Sequence, residues 1–181
     1  SKIIFIVISK TENAFKEKVL WGLFSINAPN AWGSADNLRD VAVGVLDSGV
    51  DYTHEDLAGN IWTNKNEIPA NKIDDDRNGY VDDVRGWDFT GPDNDPMDPL
   101  GHGTHVAGII GAVGNNNKGV VGVGWNTKIV PLKVGTEKAP NVASAAEAIL
   151  YAVKMKIPIL NMSFATQHFS RILYEVIKEA N

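Results

Sequence analysis

The stretch PLGHGTHVAGIIGA, residues 99–112, places two histidines among four glycines where a helix is about to begin. Pro99 and Gly101 interrupt any preceding structure, and the small residues that follow give the helix a narrow face. That pattern is typical of a helix packed tightly in a core. It also fits a helix whose first residue, His102, moves protons, and this second interpretation requires a partner for the imidazole.

Composition and charge exclude several classes of function. The 181 residues are 44% hydrophobic and 22% charged, which is ordinary for one globular domain. The net charge of −5 and the lack of a basic stripe argue against a nucleic-acid partner. No apolar run approaches the ~20 residues that span a bilayer, so we expect no membrane segment. The absence of cysteine excludes disulfides, thiol catalysis and thiolate metal sites.

Predicted strands and helices alternate along the chain. Apolar, β-branched runs typical of buried strands lie at residues 41–47, 128–134 and 157–163. Helical patterning covers residues 102–112, 144–156 and 169–180. Such alternation predicts an α/β fold in three layers, a parallel sheet with helices on both faces, whose functional residues gather at the carboxyl ends of the strands.

Two details of this pattern can be tested directly. Pro131 weakens the second strand, because proline donates no hydrogen bond to a sheet ladder. Ser144 and Glu147 have the spacing of a capping box, which predicts that the second helix begins at that serine.

The sequence VLDSGVD, residues 45–51, supplies the partner that His102 requires. Asp47 directly follows a predicted buried strand, where water is partly excluded. A carboxylate there can accept the Nδ1–H of an imidazole, fix its tautomer and stabilise the imidazolium. One alternative is an Asp that merely opens a turn. Another makes His102 and His105 a metal pair, but no third ligand is obvious from spacing. We expect His54 and His168 on exposed turns.

These motifs resemble the subtilisin-like serine proteases. Four segments carry the resemblance in order: AVGVLDSGVDYTHEDL, GHGTHVAGIIGA, NNNKGVVGVGWNTKIVPLKV and ILNMSFA. It covers residues 21–181 and implies the N-terminal part of a subtilisin-like catalytic domain, preceded by residues 1–20 as a lead-in or the end of a pro-segment. It also implies Asp47 as the orienting carboxylate, His102 as the general base and His105 as a buried structural histidine.

The resemblance further implies an extended peptide or protein as substrate. In the family, the segment matching NMSFA pairs with substrate as an added strand and walls the specificity pocket. The residues implied in these contacts are Asn161, Ser163, Phe164 and Ala165. The family usually has glycine where Ala165 stands, and a methyl group there could narrow the pocket mouth. The alternative is a strand end with a polar cap.

Nine Asp residues lie between positions 74 and 98. The run DDDRNGYVDD fits a D-x-D-x-N-G loop, in which oxygen ligands on alternate residues wrap a calcium ion. Its candidate ligands are Asp74, Asp76, Asn78, Tyr80 and Asp82. Arg85 stands where an EF-hand has glutamate, so Asp83 or a distant carboxylate would have to complete the shell. The alternative is a solvated acidic loop, although close like charges repel unless a cation is present.

Two further calcium sites are implied by the resemblance alone. One resembles a second calcium loop of some relatives and would use Asp88, Asp93 and Asp95. The other matches the family's strong calcium site and would use Asp56 and Asn116 with backbone carbonyls near residues 114, 118 and 120.

The family's nucleophile motif, G-T-S-M-A, and its oxyanion segment, A-G-N, do not occur in the 181 residues. We therefore expect a sheet that is incomplete at its C-terminal end and a chain that is inactive alone. Two functions stay open: a serine endopeptidase to which this chain contributes Asp and His, and an inactive calcium-binding or peptide-binding remnant. The expected partners are the missing C-terminal segment or a second copy, and the resemblance favours a secreted or extracellular protein.

Overall fold

The structure is a computed structural model that describes residues 20–32, 41–136, 139–165 and 168–180. Its strands are β1 (Ala42–Asp47), β2 (Trp87–Asp88), β3 (Lys128–Lys133), β4 (Gly135–Thr136), β5 (Ala139–Pro140) and β6 (Ile159–Met162). Four of them form a parallel sheet in the spatial order β2-β3-β1-β6, while β4 and β5 form an antiparallel pair. The predicted parallel sheet is confirmed.

The helices of the described ranges are α1 (Trp21–Ser25), α2 (Ala28–Trp32), α3 (His102–Gly111), α4 (Val142–Lys154) and α5 (Arg171–Glu179). Successive residues of a strand point to opposite faces of the sheet, and β1 shows this directly. Val45 packs in a core cluster with Val106 of α3, whereas Leu46 packs in another with Ile149 of α4. The sheet therefore has a helix on each face, as the predicted three-layer α/β fold requires.

Pro131 lies inside β3 without breaking it. The N–H of Trp62 donates to the carbonyl of Ile129 at 2.8 Å, and the N–H of Phe89 donates to the carbonyl of Lys133 at 2.8 Å. The backbone hydrogen-bonding groups of residues 129, 131 and 133 therefore point to the side of β3 on which β2 lies. Strand β2 is only two residues long. Because the missing N–H of the proline faces this short strand, the pairing of β3 with β1 is intact.

The start of α4 differs from the prediction. Asn141 caps this helix, and its side-chain oxygen accepts the N–H of Ala143 at 2.9 Å. Ser144 is buried in the first turn, where its hydroxyl donates to the carbonyl of Phe89 at 2.8 Å. The predicted capping box of Ser144 and Glu147 is wrong, because a tertiary hydrogen bond uses the serine and an upstream asparagine caps the helix.

Beside β1, strand β6 forms one edge of the described sheet, and α5 packs beside α4. Leu173 and Val176 of α5 pack against the core, but Ile172 and Ile177 are 60% and 43% exposed. The apolar residues of α5 are thus only partly covered by the part of the chain that the structure describes.

Of the predicted lead-in, residues 1–20, only Leu20 falls within the described ranges, where it is buried. A search of those ranges finds no helix with the length and apolar character needed to cross a membrane.

Candidate active site

Asp47 is the last residue of β1, at the carboxyl edge of the main sheet. Its backbone carbonyl accepts the N–H of Val134, and its carboxylate Oδ1 accepts the N–H of Ser48 at 2.7 Å. The other carboxylate oxygen, Oδ2, is buried and has no hydrogen-bond partner among the described residues. The strand therefore holds a buried carboxylate in place, and this carboxylate can still interact with a positively charged neighbour.

His102 is the first residue of α3. Its Nδ1 lies 2.6 Å from Oδ1 of Asp47, which is a short hydrogen bond. The side chain of His102 is 60% exposed, while that of Asp47 is 5% exposed. One ring nitrogen is thus held by a buried carboxylate, and much of the ring remains accessible to a reacting group.

Steric crowding explains why a glycine, Gly103, follows this histidine. A Cβ at this position would overlap the carbonyl oxygen of Gly49 and would lie 2.9 Å from Cβ of Asp47. Only glycine allows the start of α3 to approach the end of β1 this closely. The glycine-rich entrance of the helix is therefore a requirement of the contact between Asp47 and His102.

The remaining histidines lie outside this pair. His54 and His168 are exposed, as predicted. The prediction that His105 is buried is wrong: it is exposed on α3, while the neighbouring Val106 faces the core. Residues three apart in a helix share a face, so His105 lies on the solvent side with His102.

The residues implied in substrate contact lie at and beyond the end of β6. The side-chain amide of Asn161 donates to the hydroxyl of Ser163 at 2.9 Å. Phe164 packs against the core, and Ala165 is exposed. Strand β6 and the two catalytic candidates are close in the fold, because β6 pairs directly with β1.

Some carboxylates of the acidic loop accept backbone N–H groups, and others lie close to one another. Asp74 accepts the N–H groups of Asn78 and Gly79, and Asp82 accepts those of Asn71 and Lys72. Tyr80 contributes its ring to the core. By contrast, carboxylate oxygens of three residues lie within 4.8 Å of one another: Glu67, Asp76 and Asp83. These three form the one such acidic group in the described ranges.

Asp83 is the most buried member of this group. Its carboxylate accepts hydrogen bonds from the hydroxyl of Tyr151 at 2.6 Å and the side-chain amide of Asn64 at 2.8 Å. Burial raises the pKa of the Asp83 carboxyl to about 6, even though these hydrogen bonds lower it. The same burial and the nearby Asp83 charge raise the pKa of Tyr151.

Glu67 is the residue that sequence reasoning missed. It is 6% exposed and accepts the N–H groups of Asp76 and Asp82. No motif spacing connects it with the loop, and its apolar neighbour Ile68 suggested nothing unusual. The only available signal was that the loop required one more carboxylate from elsewhere.

The structure does not bring Asp88 into one ligand set with Asp93 and Asp95. Oδ2 of Asp88 forms an ion pair with Lys133 at 2.6 Å, and hydrogen bonds lower the pKa of Asp88 despite its burial. Asp95 instead accepts the hydroxyl of Tyr52 at 2.8 Å. A lysine already neutralises Asp88, so these three carboxylates do not fit a calcium ion as a set.

Asp56 and Asn116 are in direct contact. The side-chain amide of Asn116 donates to Oδ1 of Asp56 at 2.7 Å, and the N–H of Val120 donates to Oδ2 at 2.8 Å. The asparagine therefore presents its nitrogen, not its oxygen, to the carboxylate. An ion at this position would require the amide and the loop to turn.

Comparisons with known proteins point to one family. A family model described as the subtilase family, Peptidase S8, matches residues 39–179. The chain is 35% identical over 94% of its length to subtilisin-like protease 1 of Plasmodium berghei (strain Anka), of which it covers 31%. It is 30% identical over 83% of its length to a thermophilic serine proteinase of Bacillus sp. (strain AK1), of which it covers 32%.

A solved structure described as that of a lanthipeptide protease aligns with 77% of the chain at a TM-score of 0.53 and 25% identity. The alignment covers 34% of that protein, so the chain spans about a third of the length of each of these three matches. The family model, the relatives and the fold agree on one assignment. The chain belongs to the subtilase family.

Proposed function

We propose that this chain supplies the proton-transfer half of a serine endopeptidase, with Asp47 and His102 as two members of an Asp-His-Ser triad. The observation that carries the proposal is the 2.6 Å contact between His102 Nδ1 and Asp47 Oδ1 at the edge of the sheet. Asp47 fixes the tautomer in which Nδ1 bears the proton, so Nε2 is free to accept one from a nucleophile.

The burial of Asp47 supports this division of roles. Proton transfer converts the imidazole of His102 into a cation, and a buried carboxylate beside it stabilises that charge. The second carboxylate oxygen lacks a hydrogen bond among the described residues, which makes the charge pairing more favourable. The exposed ring of His102 gives the nucleophile access.

The nucleophile is not among the serines near this pair. The hydroxyl of Ser48 donates to Asp98 at 2.9 Å and accepts the N–H of Gly103 at 3.0 Å. The hydroxyl of Ser163 accepts a hydrogen bond from Asn161. Both hydroxyls have other roles, so we propose that the serine comes from sequence outside these 181 residues and that this chain alone is inactive.

We propose that an extended peptide or protein pairs with the β6 edge as substrate. Ile159 on β6 is 46% exposed, and this strand has a free flank within the described sheet. Backbone pairing would supply affinity, while Phe164 and Ala165 would shape the pocket for one substrate side chain. The same edge and the exposed face of α5 would otherwise favour self-association or docking of a C-terminal segment.

Calcium is the proposed cofactor. The three carboxylates of Glu67, Asp76 and Asp83 offer oxygen ligands, and two of them are buried, so a divalent cation would offset their repulsion. When bound, the ion supplies structural stabilisation of the loop. This set replaces Asp82 by Asp83 relative to the spacing of the motif, and the side-chain amide of Asn78 donates to Asp83.

The experiment that tests this proposal is kinetic, on the full product of the gene. Asp47→Asn should reduce kcat by roughly 10⁴-fold, because the wrong tautomer of His102 is then favoured. Glu55→Gln, which changes an exposed carboxylate paired with Lys118, is the matched control and should leave kcat unchanged. A full-length Asp47→Asn enzyme with unreduced kcat would refute the proposal.

A second function is a catalytically inactive calcium-binding or peptide-binding module. It is favoured by the convergence of Glu67, Asp76 and Asp83, which requires no nucleophile. Calcium and peptide binding by a full gene product that hydrolyses no peptide would select this function. A secreted location, implied by the family resemblance, suits either function, because calcium is abundant outside cells.

A further inference from the structure

The helix that presents His102 has no cap of its own. The first N–H groups of an α-helix lack partners within the helix and usually bond a side chain at the cap position. In α3 that position is Gly101, whose φ of 90° places it in the left-handed region and which offers no side chain. Acceptors for these N–H groups must therefore come from elsewhere.

Two residues from outside the helix supply them. The N–H of Gly103 donates to the hydroxyl of Ser48 at 3.0 Å. The N–H of Thr104 donates to Oδ2 of Asp98 at 2.9 Å, and the threonine hydroxyl reaches the same oxygen at 2.7 Å. The second and third residues of α3 are thus tied to partners outside the helix.

The two acceptors, Ser48 and Asp98, are also hydrogen-bonded to each other. Its Oδ1 accepts the hydroxyl of Ser48 at 2.9 Å and the N–H of Leu100 at 2.9 Å. Ser48 directly follows Asp47, which holds the imidazole of His102. One carboxylate therefore bridges the end of β1 and the start of α3, the two elements that carry the paired side chains.

We propose that Asp98 is a positioning residue that, acting through Ser48, holds His102 in register with Asp47. Among the described residues, no hydrogen bond joins Asp98 to the imidazole or to Asp47. Asp98 acts by anchoring the side chain of Ser48 on one side of their contact and the backbone of Leu100 and Thr104 on the other. This proposal rests on the proposed role of His102 as the base. The contacts that it invokes exist without a nucleophile, so the two proposals can fail independently.

The charge of Asp98 suits this task. Partial burial raises the pKa of Asp98, but hydrogen bonds from Thr104, Leu100 and Gly101 outweigh that effect and lower it overall. The carboxylate is therefore ionised, and a negative charge at the start of a helix interacts favourably with the helix dipole. Charge-assisted hydrogen bonds are roughly twice as strong as neutral ones, so this anchor is stronger than a cap by a neutral side chain.

The test is proton NMR of the 181-residue chain with ¹⁵N-labelled histidine. The readout is the downfield Nδ1 proton of His102, together with its rate of exchange with water. In Asp98→Asn and in Ser48→Ala we expect this proton to exchange about tenfold faster or to disappear, because the contact with Asp47 opens more often. Ser48→Ala leaves the charge of Asp98 in place, so its effect reports positioning and not the loss of a nearby anion.

Three further variants separate positioning from general destabilisation. Ser48→Thr keeps the hydroxyl and should retain the slow exchange. Asn60→Ala removes the bond from Asn60 to the carbonyl of Gly111 at the other end of α3, and should destabilise the helix without changing the His102 proton. Glu55→Gln removes an exposed charge and should change nothing at His102.

Unchanged exchange in folded Asp98→Asn and Ser48→Ala would overturn the positioning role, as would equal acceleration in Asn60→Ala. Because no step of this test uses activity, failure of the triad proposal would leave the NMR result unaltered. Conversely, loss of slow exchange in both variants would support the anchor even in a chain that hydrolyses nothing.

Discussion

Asp47 Oδ1 and His102 Nδ1 lie 2.6 Å apart although 55 positions separate the residues in the sequence. The relationship depends on two element ends: β1 finishes at Asp47 and α3 begins at His102. The register of β1 against β3 fixes the first, and the close approach allowed by Gly103 fixes the second. The backbone thus brings the two side chains together, and the proposed anchor of Asp98 and Ser48 holds them there.

The first prediction concerns Gly103→Ala. A methyl group there would overlap the backbone carbonyl of Gly49, which cannot move without disturbing the turn after β1. We expect a loss of about 1–3 kcal/mol in the free energy of unfolding, measured by chemical denaturation, and loss of the His102 Nδ1 proton signal.

Gly108→Ala is the matched control on the same helix. Its new methyl group would lie 3.8 Å from Val120 Cγ2, an ordinary contact, and alanine favours helix over glycine by about 1 kcal/mol. We expect this variant to be as stable as the parent or more stable. Equal effects of the two substitutions would show that the close approach at Gly103 does not matter.

The second prediction concerns calcium. If Glu67, Asp76 and Asp83 hold an ion, calcium at ~100 times its dissociation constant should stabilise the fold by ~2.7 kcal/mol for that site. Thermal unfolding with calcium and with a chelator measures the difference. Glu67→Gln should reduce the shift, while Glu175→Gln on exposed α5 should preserve it. Identical midpoints with calcium and with chelator would count against this site.

The third prediction concerns pH, with a chelator present. The folded-state pKa of Asp83 is about 6, above the ~3.9 of an unfolded Asp, so between these values the folded chain binds the extra proton. This group therefore adds stability that is fully present below about pH 4 and is lost as the pH rises through about 6. We expect the fall to be absent in Asp83→Asn. Parallel stability curves for the two proteins between pH 4 and 7 would refute it.

The fourth prediction concerns association of the 181-residue chain. The exposed Ile172 and Ile177 of α5, together with the β6 edge, offer surfaces for a second copy. Light scattering should show association that rises with concentration and falls in Ile172→Glu. Ile68→Glu, at a residue 61% exposed in a loop outside α5 and β6, is the control and should not reduce it. A compact monomer at high concentration would contradict this prediction.

Local patterns were sufficient for the sheet and for the helix that carries His102. The run of residues 41–47 and the Gly and Ala spacing of residues 102–112 required no knowledge of distant partners, and both elements form close to the predicted bounds. Pro131 did not indicate correctly whether β3 forms. A proline is tolerated there because the neighbouring strand β2 is short, and no local sequence pattern encodes that length.

The features that the sequence did not predict are tertiary. Ser144 does not cap α4, because its hydroxyl donates to the carbonyl of Phe89. Glu67 lies outside the D-x-D-x-N-G motif, but its carboxylate is close to those of Asp76 and Asp83. Asp98 was visible only as one more aspartate of an acidic run, although it anchors α3. Each of these three features depends on a contact between two segments, and the spacing of residues within one segment cannot predict such a contact.

We propose that Asp47 and His102 form a proton-transfer pair whose nucleophile is supplied by other sequence. The most direct measurement is labelling with a fluorophosphonate probe, of this chain alone and of the full product of the gene. We expect no labelling of the chain alone and labelling of the full product that is lost in His102→Ala. Labelling of the chain alone that disappears in His102→Ala would contradict this proposal, because a serine within these residues would then be the nucleophile.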